Sequence, residues 1–239
     1  MKKFKKTLLS LLSLLAMATL NPVAQAAMED DPTLAKVMIN QLEHRYTDGP
    51  DPLVLEGEAW IGKDLHKAWF KIDAARVNGK TEELEVQALY SRAVAPFWDL
   101  QVGLRQDFRP KPDQTWLALG LKGLAPYWFE TDVAAFVSDE GQFVLRGQFE
   151  YELLFTQQLI LSPEVTFNLY ARDDKKRDIG AGLADMQAGL RLRYEFVREF
   201  APYVGVNWNR KFGETAGLAR AAGEKADDVQ FVIGIRAWF

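Results

Sequence analysis

The feature that most constrains the fold of this chain is a two-residue alternation of apolar and polar side chains, sustained over segments of about ten to fourteen residues. In the segment 142–155, apolar residues such as Phe143 and Leu145 alternate with polar residues such as Arg146 and Glu150. A period of two residues is typical of a β-strand. Strands of soluble proteins average about five or six residues, whereas a tilted strand needs about 9 to 11 residues to cross a bilayer. The alternation therefore predicts an all-β fold built from membrane-spanning strands.

About twelve such segments follow one another along the chain, an even number that is typical of bacterial outer-membrane barrels. The predicted strands are 36–46, 53–62, 65–75, 82–92, 97–108, 115–124, 127–137, 142–155, 158–171, 183–196, 202–212 and 228–239. Connections after even-numbered strands are short, and those after odd-numbered strands include the longer 109–114, 172–182 and 213–227. This asymmetry is expected when both termini face the periplasm. We therefore predict an antiparallel transmembrane β-barrel of about twelve strands with N- and C-termini in the periplasm.

Aromatic residues recur where short turns enter odd-numbered strands. Phe97, Tyr127 and Tyr203 each follow an Ala-Pro pair at such a position. Proline can open a strand without removing a central ladder donor, and amphipathic rings favour the membrane–water interface. The terminal aromatic Phe239 looks like the C-terminal targeting signature of outer-membrane barrels. These features predict an aromatic girdle in contact with outer-membrane lipid.

The first 26 residues have the layout of a secretory signal peptide. Four lysines precede an apolar stretch over 7–20, and Ala24 and Ala26 mark a small-residue cleavage site after residue 26. The apolar stretch is shorter than the roughly 20 residues of a membrane-spanning helix. We predict a signal peptide over 1–26, a short flexible periplasmic lead-in over 27–35 and the barrel over 36–239.

The composition excludes several classes of protein. The absence of cysteine excludes a Cys-ligated zinc site, a disulfide scaffold and a thiol enzyme. Acids outnumber Lys and Arg by 33 to 29, so no basic excess favours nucleic acid as a partner. A lipid-modifying barrel enzyme would need a nucleophile such as Ser91 or Ser162, but no G-x-S-x-G context surrounds either serine. We expect no enzymatic activity and keep the lipid-modifying enzyme as the least favoured alternative.

Acidic residues two positions apart recur on the faces predicted to line the lumen. They are Glu56/Glu58, Glu83/Glu85, Glu130/Asp132 and Glu150/Glu152. In one interpretation, opposite charges pair across strands and fill the interior of a structural or pore-forming barrel without a metal role. In the other, carboxylates on one face form a cation site or pathway, because such ligands suit hard or borderline metals.

Soft metal ligands are few, which narrows the choice of candidate ligands. Met38 and His44 share one face of the first predicted strand, which could point into the lumen. We therefore take an inward-facing set as candidate metal ligands. Its members are Met38, His44, Glu56, Glu58, Glu130 and Asp132.

Several stretches of the chain resemble a known family. LYSRAVAPFWDLQVG over 89–103, EFAPYVGVNW over 199–208 and RAWF over 236–239 closely resemble the copper resistance protein B family of outer-membrane proteins. The resemblance extends from about residue 32 to 239. It implies an outer-membrane barrel that binds copper ions and contributes to copper resistance by sequestration or efflux, beside a periplasmic multicopper oxidase.

The chain departs from this family before the barrel. Many members of the family carry a segment rich in Met, His and Asp there, and in this chain that region shrinks to 28–31. High-capacity copper capture by an N-terminal tail is therefore not expected. Any copper site is expected inside the barrel, with the inward acids, Met38 and His44 as candidates.

Overall fold

The computed structural model describes residues 31–239, of which Pro32–Phe239 form one compact unit. The predicted signal peptide and residues 27–30 of the predicted lead-in lie outside the described residues. The first strand begins at Leu34, so the last two residues of the predicted lead-in belong to the barrel.

Twelve antiparallel strands form one sheet that closes on itself, which confirms the predicted fold class. The strands are β1 (Leu34–Tyr46), β2 (Pro52–Gly62), β3 (His66–Val77), β4 (Lys80–Ala95), β5 (Trp98–Arg109), β6 (Gln114–Ala125), β7 (Phe129–Ser138), β8 (Phe143–Glu150, continued after a break by Leu153–Leu154), β9 (Leu159–Tyr170), β10 (Gly182–Tyr194), β11 (Phe200–Lys211) and β12 (Asp227–Trp238). Each strand pairs with the next, and β1 pairs with β12 to close the barrel. Closure satisfies the backbone donors and acceptors that an open sheet would leave exposed to lipid.

The two faces of the sheet differ as the alternation predicts, and β6 shows this clearly. Leu117 and Leu119 point outward and are more than half exposed, whereas Trp116 and Ala118 point inward and are buried. Similar rows of exposed apolar side chains surround the barrel. This outer surface is suited to contact lipid, and the polar inner surface encloses the lumen.

Aromatic side chains lie at the turns on the end of the barrel that carries both termini. Pro126–Trp128 form a single 3₁₀ turn, so β7 begins at Phe129 and the predicted start at 127 is two residues too early. Phe97, Tyr127 and Trp128 are each at least 70% exposed. Their positions match the predicted interfacial girdle. Tyr203 does not, because its side chain points inward and donates to Glu43, so its predicted place in the girdle is wrong.

A β-bulge at Asn40 changes which residues of β1 face the lumen. Before the bulge, Met38 lies opposite Glu58 of β2, and after it Gln41 lies opposite Glu56. The extra residue shifts the two-residue alternation by one position. His44 therefore points outward, and the prediction that it shares the inner face with Met38 is wrong.

The connection between β11 and β12 contains a helix, α1 (Gly213–Ala221), where the sequence pattern predicts only a loop. Its buried residues are Thr215, Ala216 and Ala219. Small buried side chains of this kind carry a weak periodic signal, which explains why the sequence pattern did not predict the helix. Among residues 31–239 we find no helix with the length and hydropathy needed to cross a membrane.

We predict that deletion of Asn40 prevents assembly of the barrel. Without the extra residue, either Met38 turns outward, or Glu43 and Arg45 turn toward lipid. If Glu43 turned outward, Arg191 would lose its buried partner, and breaking a buried ion pair costs about 3–5 kcal/mol. Heat-modifiable migration on a gel, which reports folded barrel, should be lost.

The matched control is deletion of Gly49, which lies in the exposed connection between β1 and β2. This variant should fold, because the register of both strands is unchanged. Normal folding of the Asn40 deletion would contradict the role assigned to the bulge.

Candidate functional site

The lumen contains a polar cavity of about 580 Å³. Lys36, Phe97 and Leu124 line it at the end of the barrel that carries the termini, and Asp73 and Arg146 line it farthest inside. Eight acidic side chains line the cavity: Glu56, Glu58, Asp73, Asp99, Glu130, Asp132, Glu150 and Glu164. Seven basic side chains line it: Lys36, Lys71, Lys122, Arg146, Arg191, Arg193 and Arg236.

Two of the candidate acids form ion pairs with lysines. Lys122 pairs with Glu58 and lies 3.8 Å from Asp132, which also accepts a hydrogen bond from Lys71. The indole of Trp69 donates to Glu58 at 3.1 Å, and the Lys122 ammonium lies 5.1 Å from the centre of that ring system. These carboxylates are therefore already neutralised by their neighbours.

Three acids of the cavity have no basic partner within 4 Å in the described part of the chain: Glu56, Asp73 and Glu130. Glu56 lies directly across from Asp73 on β3, and its single hydrogen bond comes from Gln148 at 3.2 Å. The same Gln148 amide donates to Glu164 at 2.9 Å. Like charges directly opposite each other are destabilising, so a proton or a metal ion between the two carboxylates would relieve their repulsion.

A buried ion cluster beside the cavity is centred on Glu43. Its carboxylate accepts from Arg45 at 2.7 Å, from Arg191 at 2.9 and 3.0 Å, and from the Tyr203 hydroxyl at 2.9 Å. Gly234 lies across from both Glu43 and Tyr203, and a Cβ at that position would be 2.6–2.7 Å from them. The missing side chain at Gly234 thus makes room for the cluster.

A second buried cluster lies nearer the external end. Arg105 pairs with Glu85 at 2.8 Å and with Asp107 at 2.7 Å, and its guanidinium lies 4.6 Å from the Phe136 ring centre. Arg146 also pairs with Glu85, at 2.8 and 2.9 Å. Because β4 runs from the external end, Glu85 and its partners lie nearer the external loops than the cavity does.

Ion pairs between loops at the external rim are fully exposed and differ from these clusters. Lys176 pairs with Glu140 at 2.8 Å, and Lys225 pairs with Asp48 at 2.7 Å. The hydrogen bond from Lys225 lowers the pKa of Asp48, and the hydrogen bond to Glu140 raises the pKa of Lys176. Exposed pairs of this kind contribute little to stability, so these residues are suitable control positions.

Soft metal donors are scarce in the lumen. Met38 lines the cavity, whereas His44 is exposed on the outer face with its ring 4.8 Å from that of Tyr46. His66 is also exposed and contacts Tyr90. Within residues 31–239, no group of three or more His, Cys, Asp and Glu side chains has the geometry of a preformed metal site.

Ser91 and Ser162, the candidate nucleophiles, form hydrogen bonds with charged residues of the lumen. The Ser91 hydroxyl donates to Asp99 at 3.0 Å, and the Ser162 hydroxyl accepts from Arg193 at 3.1 Å. Both histidines of the described chain lie on the outer face, away from these serines. The geometry therefore offers no Ser-His pair for a lipid-modifying reaction.

The sequence pattern missed some functional residues of the lumen. Gln41, Glu43 and Arg45 face inward because of the bulge, which no local signal near Asn40 indicates. Asp73 is an inward acid that lies opposite Glu56. The two face each other because of the register between β2 and β3, which the sequence does not reveal.

Comparison with known proteins identifies the family. The family profile described as "Copper resistance protein B precursor (CopB)" matches residues 33–239. The chain belongs to the copper resistance protein B family. "Copper resistance protein B" of Escherichia coli is 45% identical over 213 residues, covering 89% of this chain and 72% of that protein. "Copper resistance protein B homolog" of Pseudomonas syringae pv. tomato is 43% identical over 200 residues, covering 84% of this chain and 68% of that protein.

Solved structures with a similar fold are outer-membrane porins. The NanC porin superposes with a TM-score of 0.56 at 11% identity, covering 85% of this chain and 99% of that chain. The KdgM porin gives a TM-score of 0.50 at 11% identity, covering 86% of this chain and 99% of that chain. At this identity the similarity concerns the fold alone. Together, the fold and the family assign this member of the copper resistance protein B family to the bacterial outer membrane, with a role in copper resistance.

We predict that Glu43→Gln strongly destabilises the barrel, whereas Glu56→Gln does not. Loss of the Glu43 charge leaves Arg45 and Arg191 buried with weaker partners, and breaking a buried ion pair costs about 3–5 kcal/mol. Glu56 has no basic partner to lose. Urea-induced unfolding of the reconstituted barrel measures the free energy of unfolding of each variant. Equal destabilisation by the two substitutions would contradict the distinction between paired and unpaired acids.

Proposed function

We propose that the lumenal cavity binds copper ions from the periplasm and holds them for sequestration or export. The observation that carries this proposal is the group of unpaired acids, Glu56, Asp73 and Glu130, in a cavity that extends to the end carrying both termini. In outer-membrane barrels the short turns face the periplasm, so this end is the periplasmic one. The copper-resistance role of the family agrees with a cation-binding lumen.

The donor chemistry favours Cu(II) over Cu(I). Carboxylate and amide oxygens such as those of Glu56, Asp73 and Gln148 suit harder ions, whereas thiolate and thioether ligands select Cu(I). Met38 is the soft donor that lines the cavity. We expect weak, exchangeable binding, because the described residues form no preformed cluster of metal ligands.

The six predicted metal ligands take different parts in this proposal. Glu56 and Glu130 remain candidate copper ligands, and Met38 lies beside them in the cavity. The acids that pair with lysines, Glu58 and Asp132, contribute to the charge balance of the lumen and not to direct binding. His44 takes no part, because it faces outward.

The charge distribution at the periplasmic mouth also favours cations. Glu150 pairs with Arg236 at 2.8 Å and lies 3.7 Å from Arg193, while Glu152 and Glu195 surround the same arginines. Glu130, which lies across from Glu150, adds a further acid. Even with Lys36 at the same end, these four acids outnumber the basic side chains around them, and a local excess of this kind raises the local cation concentration. We expect the periplasmic multicopper oxidase implied by the family resemblance to act at this mouth.

A second candidate function is a pore-forming or structural barrel without a metal role. The extensive pairing of inner charges, as in the Glu43 and Arg105 clusters, favours it. In that case the unpaired acids would bind no copper, so copper titration separates the two functions.

We predict that the double substitution Glu56→Gln/Asp73→Asn weakens Cu(II) binding at least about tenfold, the ratio equivalent to about 1.4 kcal/mol. The substitutions remove two carboxylates that face each other in the cavity. Calorimetric titration of the detergent-folded barrel measures the affinity. Unchanged affinity would contradict the proposed site.

The matched control is Glu140→Gln, which removes one exposed carboxylate at the external rim. It should bind Cu(II) like the natural protein. In cells lacking the natural protein, the control should restore growth in copper and the double variant should not.

A further inference from the structure

A loop at the external end of the barrel folds toward the lumen. The segment 171–181 joins β9 to β10, and backbone hydrogen bonds of 2.7 and 3.0 Å between Asp174 and Ile179 close it into a compact turn. The Gly180 amide donates to the Thr215 hydroxyl of α1 at 2.9 Å. The loop is therefore braced against the helix at the same end.

Arg177 is the part of this loop that reaches inward. Its side chain is only 4% exposed, and its guanidinium lies 2.8 Å from the Asp107 carboxylate of β5. It also donates to the Pro112 carbonyl at 2.8 Å, in the connection between β5 and β6. A buried ion pair thus joins an external loop to the wall of the barrel.

Asp107 keeps other partners when Arg177 is absent. Arg105 binds it at 2.7 and 3.2 Å, and the Trp116 indole donates to it at 2.9 Å. Arg177 itself would move into water, where its charge is hydrated. Withdrawal of the loop therefore leaves no buried carboxylate unpaired, whereas removal of Arg105 would deprive both Asp107 and Glu85 of a partner. Arg177 can therefore leave this group of ion pairs without leaving a buried carboxylate unpaired.

We propose that the segment 171–181 is a plug, that the Arg177–Asp107 ion pair holds the external end of the barrel shut, and that solutes pass only when Arg177 withdraws. This inference concerns the path through the barrel and does not depend on copper being the cargo. The residues beneath the plug belong to hydrogen-bonded strands of the wall, so in this proposal the loop is the element that moves.

Potassium chloride conductance in planar bilayers tests the plug. Arg177→Ala should raise the single-channel conductance or the open fraction severalfold. The matched control is Lys176→Ala on the same loop, because Lys176 is 60% exposed and pairs with Glu140 outside the lumen. It should behave like the natural protein. Conductance of Arg177→Ala equal to that of the natural protein would overturn the proposal.

Arg177→Gln is the second variant should Arg177→Ala fail to fold. Glutamine keeps a donor for the Pro112 carbonyl but removes the charge that pairs with Asp107. A folded Arg177→Gln barrel should conduct more than the natural protein, and unchanged conductance would equally overturn the plug. Because these recordings contain no copper, their failure is distinct from failure of the Cu(II) titration.

Discussion

The constraint on which the rest of the structure depends is that every backbone donor and acceptor must be satisfied within the hydrocarbon layer. A closed sheet meets it, and closure between β1 and β12 leaves no free edge. Once the sheet is closed, the alternation of side chains assigns one face to lipid and the other to the lumen. The charged side chains of the proposed function lie inside the barrel because the outer face is in contact with lipid, where a charge is costly.

The charged side chains of the lumen form a paired set and an unpaired set, and the two sets have different roles. Glu43 and Glu85 are surrounded by arginines and hold the strands together across the interior. Glu56 and Asp73 face each other without a basic partner in the described chain, which costs stability when both are ionised and neither a proton nor a metal ion is bound. These two unpaired carboxylates are the physical basis of the proposed copper function.

The overall fold could be predicted from the sequence because the two-residue period persists over whole strands, as in β6 and β12. The lumenal site could be predicted only in part. The bulge at Asn40 reversed the facing of His44 and brought Glu43 inward, and a bulge is a property of pairing between strands. The position of Arg177 depends on how a long loop folds back, and its local sequence is simply polar. Helix α1 was missed because its buried residues are small and give only a weak periodic pattern.

The measurement that tests the central claim most directly is the location of copper in crystals of the folded barrel soaked with Cu(II). Anomalous scattering at the copper absorption edge identifies the ion without assumptions about its ligands. The account predicts a peak inside the lumen, near the facing carboxylates of Glu56 and Asp73. A peak confined to the outer surface, beside His44 or His66, would contradict it, as would a lumen without copper at saturating concentration.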